Sequence, residues 1–223
     1  MNKKLSKKIE TYMDEEVKKM QERFDKKIPK IVNDDPFIMY HGTSSTNFKK
    51  IKTQGIKPRG RKKSNFTNIG ISRKDLVYLT NCYACYYAFT SAKTKKEKEV
   101  ILKVKVDPKK LKLYLDEEFL YHALGYNRAD NSEMAKQLYG TINPKKLSPI
   151  IKSRFKKKVT WKDSINFMGT VSCEFIPPEA IIGYAVLDKH GIYQCDPAIS
   201  PMNYKVCAGM YISYLESLKY KKL

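Results

Sequence analysis

The chain has 223 residues, which suffices for one sizeable domain with an accessory segment but is too short for two full enzymatic domains. Its hydrophobic content of 42% and charged content of 30% exclude an intrinsically disordered protein. The formal net charge of +21 makes a polyanion the first partner to consider, with nucleic acid ahead of an anionic membrane surface.

Lysine supplies most of this charge, and arginine is found only at Arg23, Arg59, Arg61, Arg73, Arg128 and Arg154. Base-specific readers of nucleic acid favour arginine, so the composition favours contact with phosphate backbones over readout of base sequence. A lysine-rich proteome would account for the same charge without any nucleic-acid role. Composition alone leaves both interpretations open.

Cysteine usage and hydropathy indicate a cellular setting. The five cysteines are an odd number and do not form the pattern of a disulfide scaffold, which favours a reducing compartment. No run approaches the roughly 18 apolar residues that a membrane span requires, and no apolar signal segment follows the first basic residues. We therefore expect a cytoplasmic protein without a transmembrane segment, unless the protein is exported by a route that leaves no such signal.

Residues 6–28 predict one amphipathic helix that ends near Pro29. Apolar side chains recur there at helical spacing, namely Ile9, Met13, Val17, Met20 and Phe24. We expect this stripe to pack on the domain that follows, with a coiled-coil partner as the alternative. The chain then divides into an N-terminal helical extension, residues 1–35, and a main domain, residues 36–223.

The main domain is predicted to begin with a strand over residues 37–41. A short helix follows, which Ser44 or Ser45 caps and which Gly55 ends. Residues 57–74 are rich in Gly, Ser, Asn and basic side chains without periodicity, which predicts a loop.

The rest of the chain mixes strands and helices. Residues 99–106 alternate strictly, with Val100, Leu102, Val104 and Val106 on one face, and predict the clearest strand. We also expect strands over 76–80, 169–175 and 181–187, and helices over 83–92, 117–124, 132–139 and 204–220. This order predicts an α+β fold.

Two short motifs point to a binding site. Met39-Tyr40-His41-Gly42-Thr43 is a β-type run that leads into a helix, whose free N–H groups can receive an anion, and Val77-Tyr78-Leu79-Thr80 is a second run of the same kind. A strand ending in Val106-Asp107 and the turn Pro177-Pro178-Glu179-Ala180-Ile181 come later. In their order and spacing these motifs resemble the ADP-ribosyltransferase fold, the family of diphtheria-type toxins, poly(ADP-ribose) polymerases, nucleic-acid ADP-ribosylating toxins and RNA 2′-phosphotransferases.

The resemblance covers roughly residues 37–188 and implies a split β-sheet core with peripheral helices, and NAD as the co-substrate. Cleavage of the nicotinamide–ribose bond passes through a ribosyl cation, so a site must hold the ribose, bind the leaving ring and stabilise positive charge. In the family, the His of the first strand contacts the adenosine ribose and the next Gly binds the nicotinamide amide through its backbone. These positions match His41 and Gly42, followed by Thr43. Tyr78 matches the Tyr that stacks on nicotinamide.

The third catalytic position departs from the family pattern. Many relatives place a catalytic Glu several residues before the Pro-Pro turn, where this chain has Gly169 and Thr170, and Glu174 lies four or five residues later. Three alternatives remain: Glu174 enters the site through a shortened hairpin, Thr170 orients the ribose instead, or the enzyme works without a carboxylate. Glu174 as an exposed strand residue without a role is the simplest alternative to all three.

Two basic runs flank the expected cleft. Residues 36–74 contain ten basic side chains and no acidic one, and residues 145–162 contain eight and no acidic one. We expect Arg59 and Arg61 to bind the NAD pyrophosphate or a nucleic-acid acceptor. Backbone contact and base stacking are expected from Lys62, Lys63, Lys156, Lys157, Lys158 and Trp161.

Cys82 and Cys85 form a C-x-x-C pair, whose chemistry would be redox or half of a zinc site. No second pair and no suitably spaced His accompany it, so we interpret it as two packed thiols at a helix start and expect no metal.

The sequence therefore predicts an NAD-dependent ADP-ribosyltransferase, a glycosyltransferase that modifies RNA, DNA or a protein. A toxin or effector role follows by analogy with small relatives. The alternatives are an RNA 2′-phosphotransferase, an NAD glycohydrolase, and a nucleic-acid-binding module that kept the fold without catalysis.

Overall fold

Six antiparallel strands form a single sheet in the computed structural model, which describes residues 30–60, 73–92, 94, 96–116, 160–187 and 212–223. The strand order is β4-β5-β2-β1-β3-β6. The strands are β1 Phe37–Ser44, β2 Val77–Thr80, β3 Glu99–Val106, β4 Leu113–Tyr114, β5 Thr170–Cys173 and β6 Ile181–Leu187.

Helices accompany the sheet, so the predicted α+β class is confirmed. They are α1 Ser45–Gln54, α2 Ala84–Ser91 and α3 Trp161–Met168, with a short 3-10 turn at Pro178–Ala180 and helical residues 212–217 near the C-terminus. None of the helices in the described ranges has the length and apolarity that a bilayer crossing requires.

The predicted elements within these ranges are present, and two further ones were not predicted. The unpredicted elements are β4, which has only two residues, and α3. The predicted N-terminal helix over 6–28, the helices over 117–124 and 132–139, most of the 57–74 loop and the start of the 204–220 helix lie outside the described residues.

Helix α1 begins and ends where its sequence predicts. The Ser44 hydroxyl accepts a hydrogen bond from the Asn47 N–H at 3.4 Å, and Gly55 has a φ of 69° at the C-terminus. A left-handed backbone favours glycine because it has no Cβ.

The sheet consists of two three-stranded halves that are joined at one residue pair. Strand β1 pairs with β3 from Phe37 to Ser44, but it pairs with β2 only at Tyr40 opposite Thr80. The described strands thus form a half β6-β3-β1 and a half β4-β5-β2 that separate beyond this pair.

Each face of the sheet is covered by its own apolar cluster. One cluster includes Met39, Leu79, Leu102 and Val171 and is covered by α1 and α3. The other includes Tyr40 and Ile101 from the strands, Ala84, Cys85 and Ala88 around α2, and Leu215 from the C-terminal helix. The alternation predicted for β3 therefore places Val100, Leu102, Val104 and Val106 together in the first cluster.

Gly42 allows α2 to pack directly on β1. A Cβ at this position would lie 2.0 Å from the Ala84 carbonyl oxygen and 2.4 Å from the Ala88 nitrogen. Both are backbone atoms of α2, which no rotamer change can move aside. Helix α2 thus occupies the space that a side chain at position 42 would fill.

We predict that Gly42→Ala destabilises the fold by about 3 kcal/mol because α2 must shift away from β1. Gly60→Ala is the matched control, since Gly60 has a φ of 58° but no atom within 4 Å of an added Cβ. Only a backbone cost of about 1 kcal/mol is expected there. Urea unfolding followed by circular dichroism measures both changes, and equal losses at the two positions would contradict the packing assignment.

Candidate active site

The backbone groups of Gly42 and Tyr78 face each other across the division of the sheet. On β1, the Ser45 N–H donates to Lys98 on the β3 side at 2.8 Å, and on β2 the Asn81 N–H donates to Gly169 on the β5 side at 2.8 Å. Successive residues of an antiparallel strand point their N–H and C=O groups to alternate sides. The groups of Gly42 therefore point toward β2, and those of Tyr78 point toward β1.

These two residues nevertheless do not form a ladder pair, since the pairing of β1 with β2 stops at Tyr40 and Thr80. The imidazole of His41 takes the place of the missing pair, with its Nδ1 3.0 Å from the Tyr78 carbonyl oxygen. Gly42 consequently presents an N–H and a C=O toward a gap that no residue of β2 closes by ladder pairing.

The contact with Tyr78 determines the tautomer of His41. A carbonyl oxygen can only accept, so Nδ1 carries the proton and Nε2 is left as an acceptor. Burial lowers the pKa of His41 below its usual 6.5, and the hydrogen bond to Tyr78 opposes this in part. The ring is therefore neutral at pH 7 and has one nitrogen suited to accept a hydroxyl proton.

The other predicted cofactor residues lie at different depths. Thr43 is buried on β1 opposite Val100, and Arg59 is half-buried after α1. Arg61 lies outside the described residues. The structure thus brings His41, Gly42 and the Tyr78 carbonyl together and leaves the pyrophosphate role of the arginines a prediction.

The ring of Tyr78 belongs to a row of side chains that crosses the second half of the sheet. Tyr78 pairs with Ser172 and Ser172 pairs with Tyr114, so the three side chains share one face. The Tyr78 hydroxyl accepts a hydrogen bond from the Arg73 N–H at 2.6 Å. The hydrogen bond of His41 is with the Tyr78 carbonyl, and stacking of the Tyr78 ring on nicotinamide stays a prediction.

The two candidates for the third position differ in exposure. Thr170 is 3% exposed, and its hydroxyl has no hydrogen-bond partner among the described residues. The side chain of Glu174 is 61% exposed, accepts a hydrogen bond from the Tyr114 hydroxyl, and lies 3.9 Å from the Lys112 ammonium. Glu174 can therefore meet a ligand in this conformation, whereas Thr170 is covered.

Tyr114 and Lys112 contact Glu174, Arg73 lies over the Tyr114 ring, and none of these contacts was predicted. The Lys112 ammonium and the Arg73 guanidinium lie 5.3 Å and 5.6 Å from the centre of the Tyr114 ring. The hydrogen bond with Tyr114, and then the charges of Tyr114 and Glu174, raise the pKa of Lys112. A two-residue strand gives no periodic signal, so only the alternation of Leu111, Lys112, Leu113 and Tyr114 could have indicated it.

Trp161, a predicted base-stacking residue, stacks on Phe37 at 5.7 Å between ring centroids with an interplanar angle of 14°. One face of its indole is thus used for packing. The other predicted nucleic-acid residues, Lys62, Lys63, Lys156, Lys157 and Lys158, lie outside the described residues.

The C-x-x-C pair is buried, as its packed-thiol interpretation predicts. Cys82 and Cys85 are free thiols with 0% and 1% exposure, and burial, with Glu99 as the second cause, raises the pKa of Cys85 to about 12. No group of three or more potential metal ligands is found in the part of the chain that the structure describes.

Comparison of the chain with protein-family models, with curated proteins and with solved structures finds no match. Functional inference therefore depends on the geometry of the site and on the motif resemblance.

We predict that the depressed pKa of His41 makes stability pH-dependent. The unfolded chain takes up a proton near pH 6.5, above the pKa of folded His41, so the unfolding free energy falls as the pH drops below this value. Urea midpoints at about pH 7.5 and about pH 5.5 measure the loss. His41→Asn removes the titrating group, so an equally large loss in this variant would show that His41 is not its source.

Proposed function

We propose that this protein is an NAD-dependent ADP-ribosyltransferase that modifies a nucleic acid. The observation that carries the proposal is the gap between the sheet halves. The backbone groups of Gly42 face β2 there, and the His41 ring binds the Tyr78 carbonyl at 3.0 Å. This gap lies at the motif on which the family resemblance depends.

The groups in this gap fit the two parts of NAD that the resemblance assigns to them. A strand edge offers one N–H donor and one C=O acceptor, which complement the C=O and NH₂ of a carboxamide. Gly42 is the residue whose groups point into the gap. The Nε2 acceptor of the neutral His41 ring suits a ribose hydroxyl donor.

Among the described candidates, Glu174 suits the remaining chemistry best. Loss of nicotinamide leaves positive charge on the ribose, which a nearby carboxylate can stabilise, and an acceptor must lose a proton when it attacks. Glu174 follows the end of β5, and its carboxylate accepts from the hydroxyl of Tyr114, whose side chain shares a face with the Tyr78 ring. NAD supplies the ADP-ribosyl group, and the protein side chains hold the ribose and take the proton.

The charge of the chain supports a nucleic acid as the acceptor. With a net charge of +21, phosphate backbones bind with release of counterions. The excess of lysine over arginine favours contact without base readout. A protein acceptor is the alternative, and an assay with separate nucleic-acid and protein acceptors distinguishes the two.

The test is incubation of the protein with labelled NAD, alone and with RNA, DNA or a protein mixture. Label transferred to nucleic acid supports the proposal. Label found on protein alone would show that the acceptor is a protein and not a nucleic acid. Hydrolysis to ADP-ribose without transfer indicates a glycohydrolase, and activity only on RNA with a 2′-phosphate indicates a phosphotransferase. If the protein consumes no NAD, the remaining alternative is a nucleic-acid-binding module without catalysis.

His41→Asn tests the proposed ribose contact. The Asn amide can still donate to the Tyr78 carbonyl, but it lacks an acceptor at the Nε2 position. We predict near-native thermal stability and an NAD affinity reduced roughly tenfold, since one hydrogen bond is lost. His41→Gln is the matched variant, since its amide oxygen can reach the Nε2 position. Equal NAD affinity of wild type and His41→Asn would contradict the assignment.

A further inference from the structure

Tyr114 on β4 makes a contact that assigns it a role in the transfer step. Its hydroxyl donates a hydrogen bond to Glu174 Oε1, although the two residues lie 60 positions apart in the sequence. We infer that Tyr114 is a positioning residue, which holds the Glu174 carboxylate beside the Tyr78 ring so that Glu174 can take the proton of the nucleic-acid nucleophile. This inference rests on the proposed function.

The sheet register explains why the three residues meet. Tyr78, Ser172 and Tyr114 occupy one row across β2, β5 and β4, and their side chains share a face. Glu174 follows Cys173, the last residue of β5, and its hydrogen bond with Tyr114 places its carboxylate at the Tyr114 end of this row. Arg73 contacts both tyrosines. Its backbone N–H donates to the Tyr78 hydroxyl, and its guanidinium lies over the Tyr114 ring.

An exposed glutamate needs such a partner to act as a base. Its free side chain samples several rotamers, and ordering it costs on the order of 1.5 kcal/mol. The Lys112 ion pair, 3.9 Å long and exposed, is a weak restraint. A phenol hydroxyl that donates to a carboxylate forms a stronger, charge-assisted bond. Tyr114 is therefore the group that fixes Glu174.

With Oε1 bound to Tyr114, Oε2 of Glu174 is left to accept the proton. Glu174 takes it from the nucleophile as the nucleophile's electron pair forms a bond to the ribose C1′. The electron pair of the C1′–nitrogen bond leaves with nicotinamide, and the proton on Glu174 passes to solvent. Hydrolysis uses water as the nucleophile, and water can reach the ribosyl cation from positions that Glu174 does not contact. The bound acceptor attacks only beside Glu174, so loss of this base lowers transfer more than hydrolysis.

The test measures the ratio of transfer to hydrolysis with labelled NAD and single-stranded RNA or DNA. We expect Glu174→Gln to lower this ratio roughly 100-fold. Tyr114→Phe is expected to lower it roughly tenfold because one hydrogen bond is lost. A merely structural role for Tyr114 would lower transfer and hydrolysis together and leave the ratio unchanged.

A double-mutant cycle tests whether Tyr114 acts through Glu174. If it does, Tyr114→Phe has no further effect on the ratio in a Glu174→Gln background. Tyr184→Phe is the control, because Tyr184 lies on β6 in the other half of the sheet. Independent effects in the cycle, or an unchanged ratio for Tyr114→Phe, would overturn the inference, while transfer of label to nucleic acid by the wild type would leave the proposed function standing. A wild-type protein that consumes no NAD would overturn both.

Discussion

The hydrogen bond from His41 to the Tyr78 carbonyl is the interaction on which the candidate site depends. It replaces a backbone ladder bond at the point where β1 and β2 separate. A buried carbonyl needs a donor, and here a side chain provides it. The N–H and C=O groups of Gly42 then point toward β2 without a ladder partner there, which is the basis of the proposed carboxamide contact.

Packing on the opposite face keeps this arrangement in place. Helix α2 occupies the space beside Gly42 that a side chain would fill, and it comes directly after β2. The Thr80 hydroxyl accepts hydrogen bonds from the N–H groups of Cys82 and Tyr83, which ties the end of β2 to the start of α2. Gly42 is thus a buried residue of β1, with α2 packed against it and its N–H and C=O groups directed toward β2.

Local patterns in the sequence predicted much of the described fold. The alternation of residues 99–106 gave the faces of β3, and Ser44 and Gly55 marked the ends of α1, since both signals depend only on neighbouring residues. The start of α3 also had a local signal, because the Asp163 carboxylate accepts from the Thr160 N–H at 2.8 Å, but it lay in a basic run without clear periodicity. Strand β4 has two residues, too few for a periodic signal beyond the alternation of residues 111–114.

The candidate site was predictable only in part, because its geometry depends on contacts between distant residues. The motifs indicated His41, Gly42 and Tyr78, but they did not show that the His41 ring binds the Tyr78 carbonyl. The choice between Glu174 and Thr170 required burial, and the role of Tyr114 required the register of β4 on β5. Such information lies in tertiary pairing rather than in local sequence.

The most direct test of the central claim is a titration of the Gly42 backbone amide, followed by ¹⁵N–¹H NMR, with nicotinamide and with nicotinate. Nicotinate lacks the NH₂ donor and carries a negative charge, so it cannot satisfy the Gly42 carbonyl. The account predicts that nicotinamide shifts the Gly42 resonance saturably and that nicotinate does not. A Gly42 resonance that responds to neither compound, or to both alike, would contradict carboxamide recognition at the division of the sheet.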